Sequence, residues 1–503
     1  MRPEKLTVSG EANARKSVRW LAAEAAFTKM MGLLSAIFVA RILGPAAMGI
    51  LALVALTLAA GRLLSEFGLS QAIIYHRTSN RKQLATLYTY SWLLGIVGYA
   101  VTVLASPALA HWFQEPELGH LIPVAGITLL LAPLTQQVNA LLERDLRFQP
   151  LAVRRMLASA VTLLVAVAGV HMGFGLWAPV AAGLCGAVLN QAFLYVIGRR
   201  EKLFPGFALR IRGTGRLLAF GAYRSGANAL NFVNSRVDRI VVAGALGTAS
   251  LGLYSMASSW TLETMQQLNS IATRVAFPAI ARIQTDLPQV RAQYLRLVNR
   301  VTTVNSAFLF GLASIADPLV DWVLGPEWEA MVVPLQLFCA YVLVRSLGNV
   351  NGPLVMGLGK ANWAFYWNLA ATGIIPLTII GASFFGKIEA VILALLVVQI
   401  AFAIVAYRYW VFRLLGPCLA AYTRAIGAPW TSGILMAIIV QVSLHNLKEL
   451  SSAAQLAAVV PIGTLSYILL TILLNRDAAR DLLALLPLAP IRNTIAQAAA
   501  YLK

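Results

Sequence analysis

Apolar residues in this chain fall into fourteen long blocks, at 17–43, 47–66, 84–110, 119–142, 153–171, 176–198, 217–245, 249–280, 297–317, 331–357, 362–385, 389–410, 425–444 and 454–474. Charged residues collect mainly in the intervals between them. About 20 largely apolar residues, wound as a helix, cross the hydrocarbon core of a bilayer. Lipid offers no water to backbone N–H and C=O groups, so a spanning segment that is not part of a closed barrel is helical. The pattern predicts an all-α polytopic membrane protein with 14 transmembrane helices.

Composition strengthens that reading. Of 503 residues, 59% are hydrophobic and only 12% charged, against about 25% charged in soluble domains. Mean hydropathy is +0.73. Too little polar surface remains to coat a water-soluble fold, which excludes a cytosolic enzyme, a soluble nucleic-acid-binding domain and a disordered chain. Cys185, Cys339 and Cys418 are scattered without metal or disulfide spacing. The charged first residues show no small-residue cleavage site and read as a cytoplasmic leader.

The net charge of +20 is explained by topology. With the N-terminus in the cytoplasm, the inside segments are 1–19, 75–83, 143–155, 199–216, 282–300, the turn at Lys360, 408–424 and 475–503. They hold 30 basic and 8 acidic residues. The outside loops hold Lys387 and Lys448 against eight acidic residues, among them Glu115, Glu117, Asp317, Asp321 and Glu327. This is the positive-inside bias, with both termini cytoplasmic and no nucleic-acid partner required. The outside loops are short, the longest lying around Asp317–Glu329, which leaves little room for an acceptor domain of a membrane polymerase or ligase. Gly357-Leu358-Gly359-Lys360 lacks the spacing and the hydroxyl residue of a phosphate loop, so the chain does not drive itself with ATP. His76, His111, His120, His171 and His445 sit at loops or span ends, where solvated interface residues are expected. No catalytic, cofactor or metal motif is present.

A repeat is visible. Leu43-Gly44-Pro45-Ala46-Ala47-Met48-Gly49 joins the first two spans, and Leu246-Gly247-Thr248-Ala249-Ser250-Leu251-Gly252 joins the seventh and eighth, 203 residues on. Both read L-G-x4-G. Six spans per repeat is an even number, so two lobes related by a pseudo-twofold axis along the membrane normal are expected, a parallel repeat. The domains are then a leader 1–16, an N-lobe 17–200, a basic linker 201–216, a C-lobe 217–412, and 413–503 carrying spans 13 and 14 with a tail.

A charge at bilayer depth costs about 2.5–3.5 kcal/mol on insertion scales and faces a partner or a wet cavity. Twelve charges lie inside spans: Glu24, Lys29, Arg41, Arg62, Glu66, Arg224, Arg236, Asp238, Arg239, Glu263, Arg274 and Arg345. They sit on spans 1, 2, 7, 8 and 10, which suggests that spans 1, 2, 7 and 8 line a shared polar space. Other readings compete at several positions. Arg41 can snorkel to headgroups, as can Glu24, Arg224 and Arg274 at the inner interface. Arg62 and Glu66, spaced i,i+4, can form a local ion pair. Lys29, Arg236, Arg239 and Arg345 lie nearer mid-depth. Asp238 can neutralise a neighbouring Arg or exchange a proton, and Glu263 is the other mid-span carboxylate. Burial without a close cation raises a carboxyl pKa toward physiological pH, so Asp238, Glu263, Glu24 and Glu66 are candidates for ion or proton coupling.

The in-span excess is positive, which favours an anionic cargo over a lipophilic cation. Arginine matches phosphate or carboxylate with paired, charge-assisted hydrogen bonds. Candidate cargo contacts are therefore Lys29, Arg62, Arg224, Arg236, Arg239, Arg274 and Arg345. Trp363, Phe365, Tyr366 and Trp367 either stack on sugar rings or form an interfacial aromatic belt.

Several motifs carry a family resemblance in their order along the chain. They are Ala40-Arg41-Ile42-Leu43-Gly44-Pro45 with Gly49, Ser65-Glu66-Phe67-Gly68-Leu69, Asp238-Arg239 with Leu246-Gly247, Arg274-Val275-Ala276-Phe277-Pro278, Gly325-Pro326-Glu327-Trp328 with Pro334-Leu335-Gln336, and Arg345-Ser346-Leu347-Gly348-Asn349. Over nearly its full length the chain resembles the polysaccharide transporter family, the Wzx-like oligosaccharide flippases of the MOP superfamily, most closely the colanic acid exporter branch. The resemblance implies a MATE-like fold of two six-helix lobes around a cavity opening alternately to each side, plus two extra C-terminal helices in contact with a lipid tail. It implies export of undecaprenyl-diphosphate-linked oligosaccharide repeat units across a bacterial inner membrane, coupled to an ion or proton gradient. Arg236, Arg239, Arg274 and Arg345 would then hold diphosphate or acidic sugars. The expected partners are membrane lipids, a polysaccharide polymerase and chain-length or export proteins, with the flippase itself monomeric. A drug or anionic-solute antiporter of the same superfamily is the alternative.

Overall fold

The structure is a computed structural model and describes residues 8–66, 81–208 and 215–476. All regular elements among these residues are helical. Among the described residues, eleven helices are long and apolar enough to cross a membrane, or twelve when one pair bent by 69° is taken together.

The chain divides into two compact units, Met1–Gly252 and Leu253–Lys503. The first contains α1 (Val8–Glu66), α2 (Arg81–Trp112), α3 (Leu118–Arg144), α4 (Phe148–His171), α5 (Trp177–Arg200) and most of α6 (Gly215–Ser258). Both α1 and α6 are broken once, at Gly44 (φ 75°, ψ 178°) and at Gly247 (φ 84°, ψ 174°). A side chain is strained at such φ, so glycine is the residue that lets each helix turn there. The two breaks are the equivalent glycines of the L-G-x4-G repeat, with matching backbone geometry. Within the unit α4 packs on α5 and α1, α2 on α1 and α3, and α3 on α5. Small residues hold these crossings tight, as in the cluster of Val39, Ala166, Val170, Ala178 and Ala182. In lipid, where apolar burial gains little, close packing of this kind is what associates helices.

The second unit begins in the last turns of α6 and continues through a π-type turn, Ser259–Glu263, into α7 (Thr264–Arg282). Then follow α8 (Leu287–Ser314), the short α9 (Ala316–Val323), a 3₁₀ turn (Pro326–Met331), α10 (Val332–Gly357), α11 (Ala361–Ser383) and α12 (Ile388–Ala406). A second π-type turn, Tyr407–Val411, and a last helical turn extend α12 to Leu415 before α13 (Leu419–Asn446) and α14 (Ser452–Leu474). Helix α13 packs on α8 and α14, and α10 on α7, α8 and α12. Tyr294, Val298, Val350, Leu354 and Val411 form the core there.

Two segments differ from the apolar pattern. Helix α8 starts ten residues before the apolar run at 297, because Asp286 caps it, its carboxylate accepting from the Gln289 amide at 3.0 Å, with Pro288 in the first turn. Capping fixes a helix start that hydropathy misses. The expected outer loop around Asp317–Glu329 is largely structured as α9 and the 3₁₀ turn, pinned by a fully buried Trp328. Elsewhere, large apolar side chains stand exposed along the helices, Leu104 at 79% and Leu465 at 68% among them. On a helix this apolar, such a surface faces lipid.

Candidate functional site

Glu24 of α1 is buried, and its charge is met from α4. Arg155 Nη1 lies 3.5 Å from Glu24 Oε2, while its Nη2 lies 3.7 Å from Glu143 Oε1 on α3. Asn139, one turn before Glu143, donates to the same carboxylate at 2.8 Å and accepts from buried Arg154 at 3.0 Å. Two arginines and two carboxylates thus neutralise one another inside the first unit, the arrangement that buried charges require. Sequence reading assigned Glu143, Arg154 and Arg155 to a cytoplasmic segment and missed this cluster. A buried Glu24 in need of a cation was the signal available.

The remaining predicted residues are dispersed along their helices. Lys29 is half-buried on α1 and Arg62 exposed on its second arm. Arg236, Asp238 and Arg239 are half-buried on the first arm of α6, each already engaged by neighbouring groups. Glu263 is exposed and ends the π-type turn before α7; such turns recur at functional sites. The side chains of Glu66, Arg224 and Arg274 lie outside the described residues, and with them the Arg62–Glu66 pair.

Arg345 is placed in a definite site. It projects from the middle of α10 into a cavity of about 270 Å³ within the second unit, walled by α10, α11 and the α12 segment. Its Nη1 donates to the Tyr341 hydroxyl one turn earlier, and its guanidinium lies 5.7 Å from that ring's centre. Asn349, Asn351, Asn368 and Gln399 supply amides to the wall. Asn351 also accepts from the Tyr294 hydroxyl at 2.6 Å, which ties the wall to α8. Opposite lie aromatic faces: Trp367 sits 4.8 Å from Trp410 and 5.2 Å from Phe402, centre to centre. Trp410 belongs to the π-type turn, whose extra residue shifts the register of the helix face. Among the lining residues Arg345 is the one ionisable group.

Three of the four aromatics of α11 divide between the two readings. Phe365 and Tyr366 are 64% and 65% exposed, as a belt requires, whereas Trp367 turns into the cavity. A second cavity of the same unit, about 360 Å³, is apolar and lies between α8, α13 and α14, lined by Ala307, Met436, Val440, Val459 and Gly463.

Broken helices and eleven apolar spanning candidates among the described residues define a multi-pass membrane protein. The solved structure of the lipid II flippase MurJ in an inward-closed conformation shares this fold, with a TM-score of 0.67 at 13% identity, covering 91% of this chain and 98% of that one. An inward-facing multidrug-resistance MATE transporter of the MOP superfamily shares it with a TM-score of 0.55 at 16% identity, over 77% of this chain and 94% of that one. The profile described as "Polysaccharide biosynthesis protein" matches residues 38–333, and the chain belongs to that family. The lipopolysaccharide biosynthesis protein WzxC of Escherichia coli (strain K12) is 28% identical over 416 residues, covering 82% of this chain and 84% of WzxC.

Proposed function

We propose that this protein is a flippase that moves undecaprenyl-diphosphate-linked oligosaccharide repeat units from the inner to the outer leaflet of a bacterial inner membrane. The cargo would serve exopolysaccharide, capsule or O-antigen synthesis. The observation that carries the reading is the excess of cations inside apolar helices, eight against four acidic residues, in a chain of the polysaccharide biosynthesis family. An anionic headgroup needs such a path; a cationic drug is repelled by it.

Transport proceeds by alternating access through a cationic cavity, with lobes 17–200 and 217–412 and the appended segment 413–503. Arg236, Arg239, Arg274 and Arg345, with Lys29, Arg62 and Arg224, hold the diphosphate and acidic sugars. Asp238, Glu263, Glu24 or Glu66 couples the cycle to an ion or proton gradient. The plan has fourteen crossings with both termini cytoplasmic. The 47 residues Arg19–Ser65 would extend roughly 70 Å as one helix, more than twice the bilayer core; a break at Gly44 suits two crossings. The polyprenyl tail runs along the apolar cavity beside α13 and α14. A polymerase and chain-length or export proteins take up the delivered repeat units.

The test is the leaflet in which lipid-linked repeat units accumulate when the gene is deleted, read by impermeant oxidation or lectin access in spheroplasts. Inner-leaflet accumulation relieved by the wild-type gene is expected. Normal outer-leaflet exposure overturns the reading and makes anionic-solute efflux the next assay.

A further inference from the structure

Beyond its apolar run, α12 continues through Tyr407–Val411 and Phe412–Leu415, and two arginines there are laid over aromatic rings one turn away. The Arg408 guanidinium lies 4.9 Å from the centre of the Phe412 ring, and that of Arg413 lies 4.9 Å from the centre of the Tyr409 ring. All four side chains are exposed, and none of them lines either cavity. We infer that this surface binds the phosphate headgroup of an anionic membrane phospholipid, whose acyl chains lie along the apolar flank of α11 and α12. The site stands apart from the cargo residues named above and does not depend on the flippase reading.

Charge sets the sign of the ligand. Between Glu329 and Glu449 the sequence has one acidic residue, Glu389. It stands in the first turn of α12, roughly 30 Å along the helix from these arginines. Asp286, at the start of α8, is used in capping its own helix. Among the described residues neither Arg408 nor Arg413 forms an ion pair, and Lys360, exposed just before α11, adds a third cation. Geometry then favours phosphate. A guanidinium stacked on a ring keeps its in-plane N–H donors available to phosphate oxygens, and it is already held in place. A charge that served topology alone needs no such fixing. Depth completes the match. Trp367 and Trp410 meet at 4.8 Å, which puts their chain neighbours Tyr366 and Tyr409 at one level of the two helices. Phe365, Tyr366, Tyr409 and Phe412 are exposed there, the aromatic collar expected where headgroups meet hydrocarbon. Farther along the same helices Leu369, Val397, Ile400 and Ile404 present exposed aliphatic surface. Free phosphate makes no use of that surface, whereas acyl chains do. Cations, then aromatic rings, then aliphatic side chains follow the order of groups in an anionic phospholipid from head to tail.

The experiment uses the purified full-length chain in mixed micelles of cardiolipin and phosphatidylcholine, with native mass spectrometry counting the lipid molecules retained. Cardiolipin, with its paired phosphates, is expected to be retained in preference to phosphatidylcholine. Arg408→Gln combined with Arg413→Gln cuts that retention by about tenfold or more, and lysine at both positions preserves only part of it. Tyr409→Ala combined with Phe412→Ala keeps both charges and still weakens retention, which separates a built site from surface charge. Arg282→Gln combined with Arg296→Gln removes two exposed arginines of α7 and α8 and leaves retention near wild type. An equal loss from that control pair, or wild-type retention by the Arg408 and Arg413 pair, overturns the site. Displacement of cardiolipin by inorganic phosphate at a comparable concentration means that an ion suffices and overturns it too. Stronger retention of undecaprenyl diphosphate than of cardiolipin overturns it as well, and assigns the surface to the cargo's carrier.

Discussion

Gly49 lies against the main chain of Thr248 so closely that a Cβ at position 49 would overlap the Thr248 carbonyl. The contact is reciprocal: a Cβ on Gly252 would overlap the carbonyl of Pro45. Pro45 and Gly49 correspond to Thr248 and Gly252 in the repeat, so each copy of the turn presents its glycine to the other's backbone. The two copies of the motif thus exchange equivalent close contacts. The Thr248 hydroxyl also donates to Glu115 Oε1 at 2.7 Å, which fastens the crossing to the α2–α3 loop.

Gly49→Ala and Gly252→Ala should therefore each destabilise the protein by about 1–3 kcal/mol through overpacking. Thermal unfolding of the purified variants would show it as a lowered midpoint. Gly32→Ala is the control, since nothing lies within 4 Å of its added Cβ, and its midpoint should not fall. An unchanged midpoint for Gly49→Ala would mean that the two backbones do not meet.

The charge cluster in the first unit should behave as a coupled set. Arg155→Ala leaves Glu24 and Glu143 without their shared cation and lowers stability. The double variant Arg155→Ala with Glu24→Gln should recover part of that loss, a coupling of about 1 kcal/mol, modest because Arg155 is partly exposed. Strict additivity of the two substitutions is the outcome that denies the pairing.

Arg236→Ala and Arg345→Ala should each reduce export by about tenfold or more, the loss of one charge-assisted contact to cargo. Membrane insertion and unfolding midpoints are expected near wild type. Wild-type export by both variants would remove these two arginines from the transport path.

Outside the membrane spans, Arg147 grips Glu201 through two hydrogen bonds of 2.5 and 2.8 Å. That grip holds the Glu201 carboxyl below its ordinary range and raises Arg147. A depressed carboxylate contributes stability above its unfolded pKa and loses the contribution as pH falls through the folded value. Wild type should thus be slightly more stable than Glu201→Gln near neutral pH, the gap closing in the acid range below about pH 4. Unfolding midpoints taken against pH would reveal the closure, and a gap that widens on acidification would contradict the pairing.

The sequence by itself determined where helices lie along the chain. Apolar runs long enough for a bilayer located α2, α3, α5, α10, α11 and α14 within a few residues, because desolvation of the backbone in lipid leaves the chain no other regular form. It also located the breaks, since Gly44 and Gly247 stand in one repeated motif and only glycine takes the positive φ that each break uses. Azimuth was a different matter. A helix that is apolar all round carries no polar stripe to say which way a given residue points, so Trp367 and its neighbours Phe365 and Tyr366 were indistinguishable by hydropathy. Packing on α12, and the π-type turn that carries Trp410, decided that Trp367 turns inward beside Arg345. The same holds for Glu24, whose cation Arg155 stands some 130 residues away and meets it only when α4 packs on α1. Depth in the membrane is written locally, in the free energy of transferring each residue to lipid; the direction a side chain faces depends on neighbours that only the folded chain brings together.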